Sequence, residues 1–132
     1  MSIQVRWNDD SEKLVHFQFI GKWTLDDLYE ALAAGYQLQN SKDFIVDMIF
    51  DMTQSNSLPP NIMSINSYVE RNRNPHSLSV VITKNAFVRT MADTFTRLTP
   101  QESYILFAKD YASALEELAK AQAKRAQSHN IS

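Results

Sequence analysis

The residues of this chain that could carry chemistry are few and scattered. Its histidines are His16, His76 and His129, and no HxxxH-type spacing or neighbouring carboxylate cluster turns any of them into a metal site. Cysteine is absent, which removes a thiol nucleophile, a thiolate zinc site and a disulfide framework. No Gly-x-Ser-x-Gly elbow is present. Gly21 and Gly35 are the only glycines, too few for a phosphate cradle of either the dinucleotide or the P-loop kind. The roles that a reaction needs are unfilled, so the chain reads as a non-enzyme with no cofactor.

Asp47 interrupts an otherwise apolar run from Phe44 to Phe50. A carboxylate there is a perturbed acid in a site, or an outward-facing residue on a polar sheet face, or an acid paired with Arg6. Strand alternation favours the second. Asp51 ends the run at the edge where open α/β sheets bind ligands. Thr53, Ser55 and Ser57 follow, ahead of Pro59 and Pro60. Asp51, Thr53, Ser55 and Ser57 are thus the candidate binding or regulatory residues, in a loop after the third strand. A phosphate on Ser57 would sit near a helix start, where free N–H groups and the dipole favour negative charge. The plainer reading is a solvent loop. Arg71, Arg73, Lys84, Arg89 and Arg97 are sparse enough to be a solvated face. Trp7 and Trp23 suit core or hairpin packing. Met48, Met52, Met63 and Met91 either line an adaptable apolar pocket or fill the core.

The elements that must position these residues follow from periodicity. Ile3, Val5 and Trp7 alternate with polar residues, as do Val15, Phe17 and Phe19, and a polar turn at residues 8–11 joins them into a predicted antiparallel hairpin. Thr24 caps a helix with Asp26 and Asp27 in its first turn and Leu25, Leu28, Leu32 and Tyr36 on one face. The apolar run 44–50 suits a buried parallel strand. Pro60 opens a second helix carrying Ile62, Ile65 and Val69. Leu78, Val80 and Ile82 mark a fourth strand. Asn85 caps a third helix with Val88, Met91, Phe95 and Leu98 inside. Tyr104 and Leu106 mark a fifth strand, and Asp110 caps a last helix carrying Ala114, Leu115, Leu118 and Ala119. Beyond about Gln122 the pattern fades into a polar tail expected to fray.

The order ββαβαβαβα implies an α/β fold with a mixed five-stranded sheet, parallel from the second strand onward. The 132 residues fit one domain, with an ordered core from about 3 to 121. A net charge of −2 gives no basic field for nucleic acid. No window reaches the ~18 apolar residues of a membrane span, and the N-terminus lacks a secretory pattern, so a cytoplasmic setting is expected. The strands distribute unequally. One face collects Ile3, Val5, Trp7, the odd residues from Val15 to Phe19, Val46, Met48, Phe50, Leu78, Val80, Ile82 and Leu106. The other holds Gln4, Arg6, His16, Gln18 and Asp47, with Ile45, Ile49, Val81 and Phe107 among them. Helices are therefore expected mainly on the first face. The four apolar residues on the second, Ile45, Ile49, Val81 and Phe107, form a possible homodimer face, with the hairpin edge at Trp7 as another.

The opening hairpin ending FQFIGKWTLDDLYEAL, the strand FIVDMIFDM, the strand SLSVVITKN and the closing AKDYASALEEL together resemble the STAS domain superfamily. The similarity is to the divergent branch of the sporulation anti-sigma-factor antagonist and runs from about Ile3 to Ala121. It implies a regulatory module that acts through a protein partner. Antagonists of the family present a phosphorylatable serine in Asp-Ser-Ser-Gly-Leu-Gly after the third strand. Here the stretch from Asp51 to Pro60 carries hydroxyls without that motif or its glycines. The alternative expectation is a small-molecule or lipid carrier with an apolar pocket between helices and sheet. A connected apolar cavity of at least about 300 Å³ would point to the carrier, and a filled core with a flat exposed patch to the interaction module.

Overall fold

The computed structural model describes residues 2–55, 57–97 and 104–131. Five strands, β1 (Ile3–Trp7), β2 (Leu14–Ile20), β3 (Asp47–Gln54), β4 (Ser79–Ile82) and β5 (Ile105–Ala108), form one sheet in that spatial order. β1 pairs antiparallel with β2, and all later pairings are parallel. The helices are α1 (Leu25–Asn40), α2 (Asn66–Asn72, entered through a 3-10 turn at Ile62–Ile65), α3 (Ala86–Arg97) and α4 (Tyr111–Ile131). This is the mixed α/β order expected from the pattern. Among the described residues no helix is long and apolar enough to cross a membrane.

The helix starts follow from local chemistry. Thr24 accepts from the Asp27 N–H while Asp27 accepts from the Thr24 N–H, a reciprocal capping box. Asn85 accepts from the N–H groups of Phe87 and Val88, and Asp110 from that of Ser113. Gly35 lets α1 lie close on β2, because a Cβ there would overlap the Phe17 ring. The Leu98 position and the Phe95 side chain expected on the inner face of α3 lie outside the described residues.

Register decides the faces. Phe17, Phe50, Val81 and Phe107 stand side by side across four strands, as do Val15, Met48, Ser79 and Ile105. Their apolar members pack under α1, α2 and Val88 of α3. His16, Ile49, Val80 and Leu106 form the opposite row, where Ile49, Val80 and Ile82 pack against Ala114 and Leu118 of α4. The expected faces hold for β1, β2 and most of β3 but are inverted for β4 and β5. Residues 78–82 are apolar at nearly every position, so alternation there carries no phase; only the pairing of Phe50 with Val81 sets it. The proposed dimer face is corrected accordingly. Ile49 is buried under α4, whereas Val81 and Phe107 belong to the other core, and Ile45 is half-buried ahead of β3.

Two boundaries also move. β3 starts at Asp47, not Phe44, and continues to Gln54, because β2 remains beside it as far as the Ile20–Gln54 pairing. Asp51 and Thr53 are therefore strand residues rather than members of a following loop. α4 runs on to Ile131, past the point where the apolar pattern fades, and polar contacts explain why.

Candidate functional site

Asp47 is where that extension is anchored. Its carboxylate is 1% exposed and takes a bidentate pair from Arg125, Nη1 to Oδ1 at 2.7 Å and Nη2 to Oδ2 at 3.1 Å. Gln122 Nε2 donates to Oδ2 at 2.8 Å and the Leu78 N–H to Oδ1 at 2.8 Å. Arg125 also donates to the His76 carbonyl. Asp47 is neither outward-facing nor paired with Arg6, as the alternation suggested. It is a buried tie between β3 and α4, and its hydrogen-bonding capacity is spent within the fold.

The carboxyl ends of β3–β5 frame a polar cleft of about 430 Å³ lined by Asp51, Thr53, Thr83, Lys84, Lys109 and Asp110, with Tyr111 at its wall. Asp51 accepts from both the N–H and the hydroxyl of Thr53. Asp110 is held below the usual carboxylate range by its hydrogen bonds from Ser113. Acids and lysines alternate here, so the cleft has no single-sign field. Behind it His16 is buried in β2, its Nε2 3.5 Å from Asp51 Oδ2 and its ring stacked toward Tyr111. Burial, then the Arg6 charge, pulls the His16 pKa down, with Asp51 opposing.

The candidate hydroxyls separate. Ser55 is buried and accepts from Trp23 Nε1 at 3.0 Å while donating to the Gly21 carbonyl at 2.7 Å. It fastens the α1 entry to the end of β3 and is removed from consideration as a reachable serine. Thr53 is exposed and Ser57 half-buried. Among the described residues no group of His, Asp and Glu is arranged to hold a metal ion.

The other side of the sheet carries a partly open cavity of about 170 Å³. Its walls come from β3–β5, α1, the 3-10 turn with α2, and α3, and Met48, Met52, Met63 and Met91 all contribute. Its lining residues include Trp23, Met52 and Leu58 as well as Gln39, Arg73, Ser77 and Tyr104, and the surface they present to it is almost wholly apolar. Gln39 Nε2 donates to the Val46 carbonyl at 2.8 Å and to Ser77 Oγ at 3.0 Å. The Arg73 guanidinium lies 4.0 Å over the Tyr104 ring and 3.4 Å from Glu70. Gln39 Oε1 and the Tyr104 hydroxyl are buried without a hydrogen-bond partner among the described residues. Burial pushes the Tyr104 hydroxyl up to about 12 and raises Tyr36 as well.

The sequence flagged the four methionines but not Gln39 and Tyr104. Gln39 and Tyr104 come from the last turn of α1 and the start of β5, and only the tertiary fold brings them to one cavity.

No protein-family model and no curated protein matches the chain. Among solved structures it is similar to an uncharacterized protein from the DUF3478 family with a SpoIIAA-like fold from Shewanella loihica PV-4. The TM-score is 0.61 at 17% identity, over 88% of this chain and 91% of that one. The fold is SpoIIAA-like. That places the domain among STAS-like architectures, as the sequence resemblance implied, and the SpoIIAA-like likeness extends to the fold alone.

Proposed function

We propose that this SpoIIAA-like domain is a non-enzymatic binding module that takes up a small, mainly apolar molecule between its sheet and helices. The observation that carries the reading is the cavity of about 170 Å³ walled by methionines and aromatic rings. Protein interiors are close-packed, and voids of this size are few. An apolar cavity of about 150 Å³ stays dry and accepts a benzene-sized guest, so the volume fits such a ligand. It falls short of the ~300 Å³ set above for a small-molecule or lipid carrier, so that criterion is not met, and the reading is confined to a guest of about the size of a substituted benzene. Unbranched, polarisable methionines suit a wall that adapts to its guest. The test is nuclear magnetic resonance of protein carrying labelled methionine methyls. Adding ethylbenzene or 4-ethylphenol should move the resonances of Met48, Met52, Met63 and Met91. Saturating amounts of both compounds that leave all four in place would overturn the reading.

A second reading, a module acting on a protein partner in the manner the STAS resemblance implies, is supported by a separate observation. Phe87 is 63% exposed at the start of α3, and Tyr111 is exposed at the start of α4, so aromatic surface flanks the polar cleft. Exposed aromatics of this kind are enriched at the energetic centres of protein interfaces. The two readings are compatible, because the cavity and the cleft lie on different parts of the molecule.

A further inference from the structure

We infer that the polar cleft at the carboxyl ends of β3–β5 binds the phosphate group of a small phosphomonoester, at a site separate from the apolar cavity. The cleft has a topological cause. β4 and β5 are neighbours, and the helices that follow them pack on different sides of the sheet. α3 brings Val88 to the Phe17 side, and α4 brings Ala114 and Leu118 to the Ile49 side. The two connections therefore part at the strand ends, and in open α/β sheets a crevice opened in this way is where ligands bind. Its volume of about 430 Å³ lies in the range of small-molecule sites, and the surface open to it is mainly polar.

The fixed charges of the cleft cancel, but its hydrogen-bonding capacity does not. The acids are engaged by the fold. Asp51 Oδ1 accepts from the Thr53 N–H and hydroxyl, and its Oδ2 faces His16 Nε2 at 3.5 Å. Asp110 Oδ1 accepts from the Ser113 N–H at 2.7 Å. The donors are not engaged. Lys84 and Lys109 are exposed, and among the described residues neither ammonium makes a hydrogen bond or an ion pair. Asn85 turns its Oδ1 to the N–H groups of Phe87 and Val88, which can only donate, so its amide nitrogen is the free end. These groups leave adjacent strand ends. Ile82 stands opposite Ala108, and the Thr83 N–H bonds the Ala108 carbonyl at 3.0 Å. Lys84 and Asn85 follow on one strand and Lys109 on the next, about 5 Å away. Both ammonium charges act on Asp110, secondary to its bonds from Ser113, and a lysine head on its flexible four-carbon stem can swing to a shared anion. Two ammonium groups match a phosphate dianion, whose oxygens accept. A carboxylate carries half that charge, and a cation has no use for the donors. The exposed ring of Tyr111 at the cleft wall gives the organic part of the ester a surface to lie on.

Phenyl phosphate, benzoate and benzylamine share a ring and differ in charge. Each is titrated into the full chain at constant ionic strength and about pH 7.5, above the second phosphate pKa of ~6, while backbone amide and methionine methyl resonances are followed together. Phenyl phosphate should move the amides of Lys84, Asn85 and Lys109. The methyls of Met63 and Met91, which line the apolar cavity, should stay in place. Phenyl phosphate should bind roughly tenfold tighter than benzoate, the worth of about one more charge-assisted contact, and benzylamine should not bind. Lys84→Gln combined with Lys109→Gln should weaken phenyl phosphate by about tenfold or more. Asn85→Asp keeps a good helix cap but exchanges the free donor for an acid, so it should lose phenyl phosphate while its thermal unfolding stays close to that of the wild type. Cleft amides that do not move, or benzoate or benzylamine binding as tightly as phenyl phosphate, overturn the inference. So does a phenyl phosphate affinity unchanged in either folded variant. A response confined to Met63 and Met91 also overturns it and leaves the cavity reading standing, since that reading is tested by the uncharged probes at the methionine methyls.

Discussion

His16 sits in the middle of β2 with Asp51, Arg6 and Tyr111 as its neighbours, and the balance among them sets how this residue answers to acid. Burial and the Arg6 charge together outweigh Asp51, so the folded protein holds a proton at His16 less readily than an ordinary histidine at 6.5. The sign of the linkage follows. The stability that depends on neutral His16 is fully present above the unfolded value and is lost as pH falls through the lower folded value. Denaturation midpoints measured from pH 7 down to pH 5 should therefore fall more steeply for the wild type than for His16→Gln. Equal slopes would mean that His16 charges in the native state without penalty. The sequence placed His16 correctly in mid-strand, because alternation from Val15 to Phe19 is unambiguous. It could not show that α4 lies over that face and brings Tyr111 there.

The element whose role the sequence concealed most is the second half of α4. Its residues after Gln122 are polar, so a reading by apolar periodicity ends the helix there. Yet Ala114, Leu118, Gln122 and Arg125 lie on one stripe at helical spacing, and the last two continue it with polar groups aimed at Asp47. The match could not be read from either segment alone, since Asp47 and Arg125 are 78 positions apart. Truncation after Ala121 should thus be far from neutral. It strips Arg125 and Gln122 from a carboxylate that remains buried, and breaking one side of such a pair costs about 3–5 kcal/mol. Arg125→Ala in the full-length chain should reproduce most of that loss, and both are measurable by urea unfolding. A truncated protein as stable as the intact one would show that α4 beyond Ala121 contributes nothing. The start of α1 stands in contrast. Thr24 was legible directly as the cap because the signal is local, and the structure adds the reciprocal bond from Asp27, three residues on.

Across the whole molecule, two apolar layers flank one sheet, and only one of them is fully closed. The α4 side is filled by small, regular contacts among Ile49, Val80, Ile82, Ala114 and Leu118. The α1–α3 side mixes stacked rings, such as Phe17 on Phe50 at 4.5 Å, with methionines around the cavity. Element order was legible because each strand and cap has a local signature. A cavity is a small difference between the volumes of many side chains and has no such signature. Its consequence is nevertheless a property of the entire fold. A ligand that binds only the native state stabilises it by mass action, about 2.7 kcal/mol at a hundred times its dissociation constant. For a domain of this size that corresponds to a rise in Tm of about 10 °C. 4-Ethylphenol at that excess should produce the shift. Val81 lines the cavity, and Val81→Leu extends into it. In a closed core the added methylene would cost about 1–3 kcal/mol, whereas here the unliganded Tm should hold or rise while the ligand-induced shift shrinks. A Val81→Leu protein with a lowered Tm and an undiminished shift would show that the space beside Val81 is already occupied by the protein and that the ligand binds elsewhere.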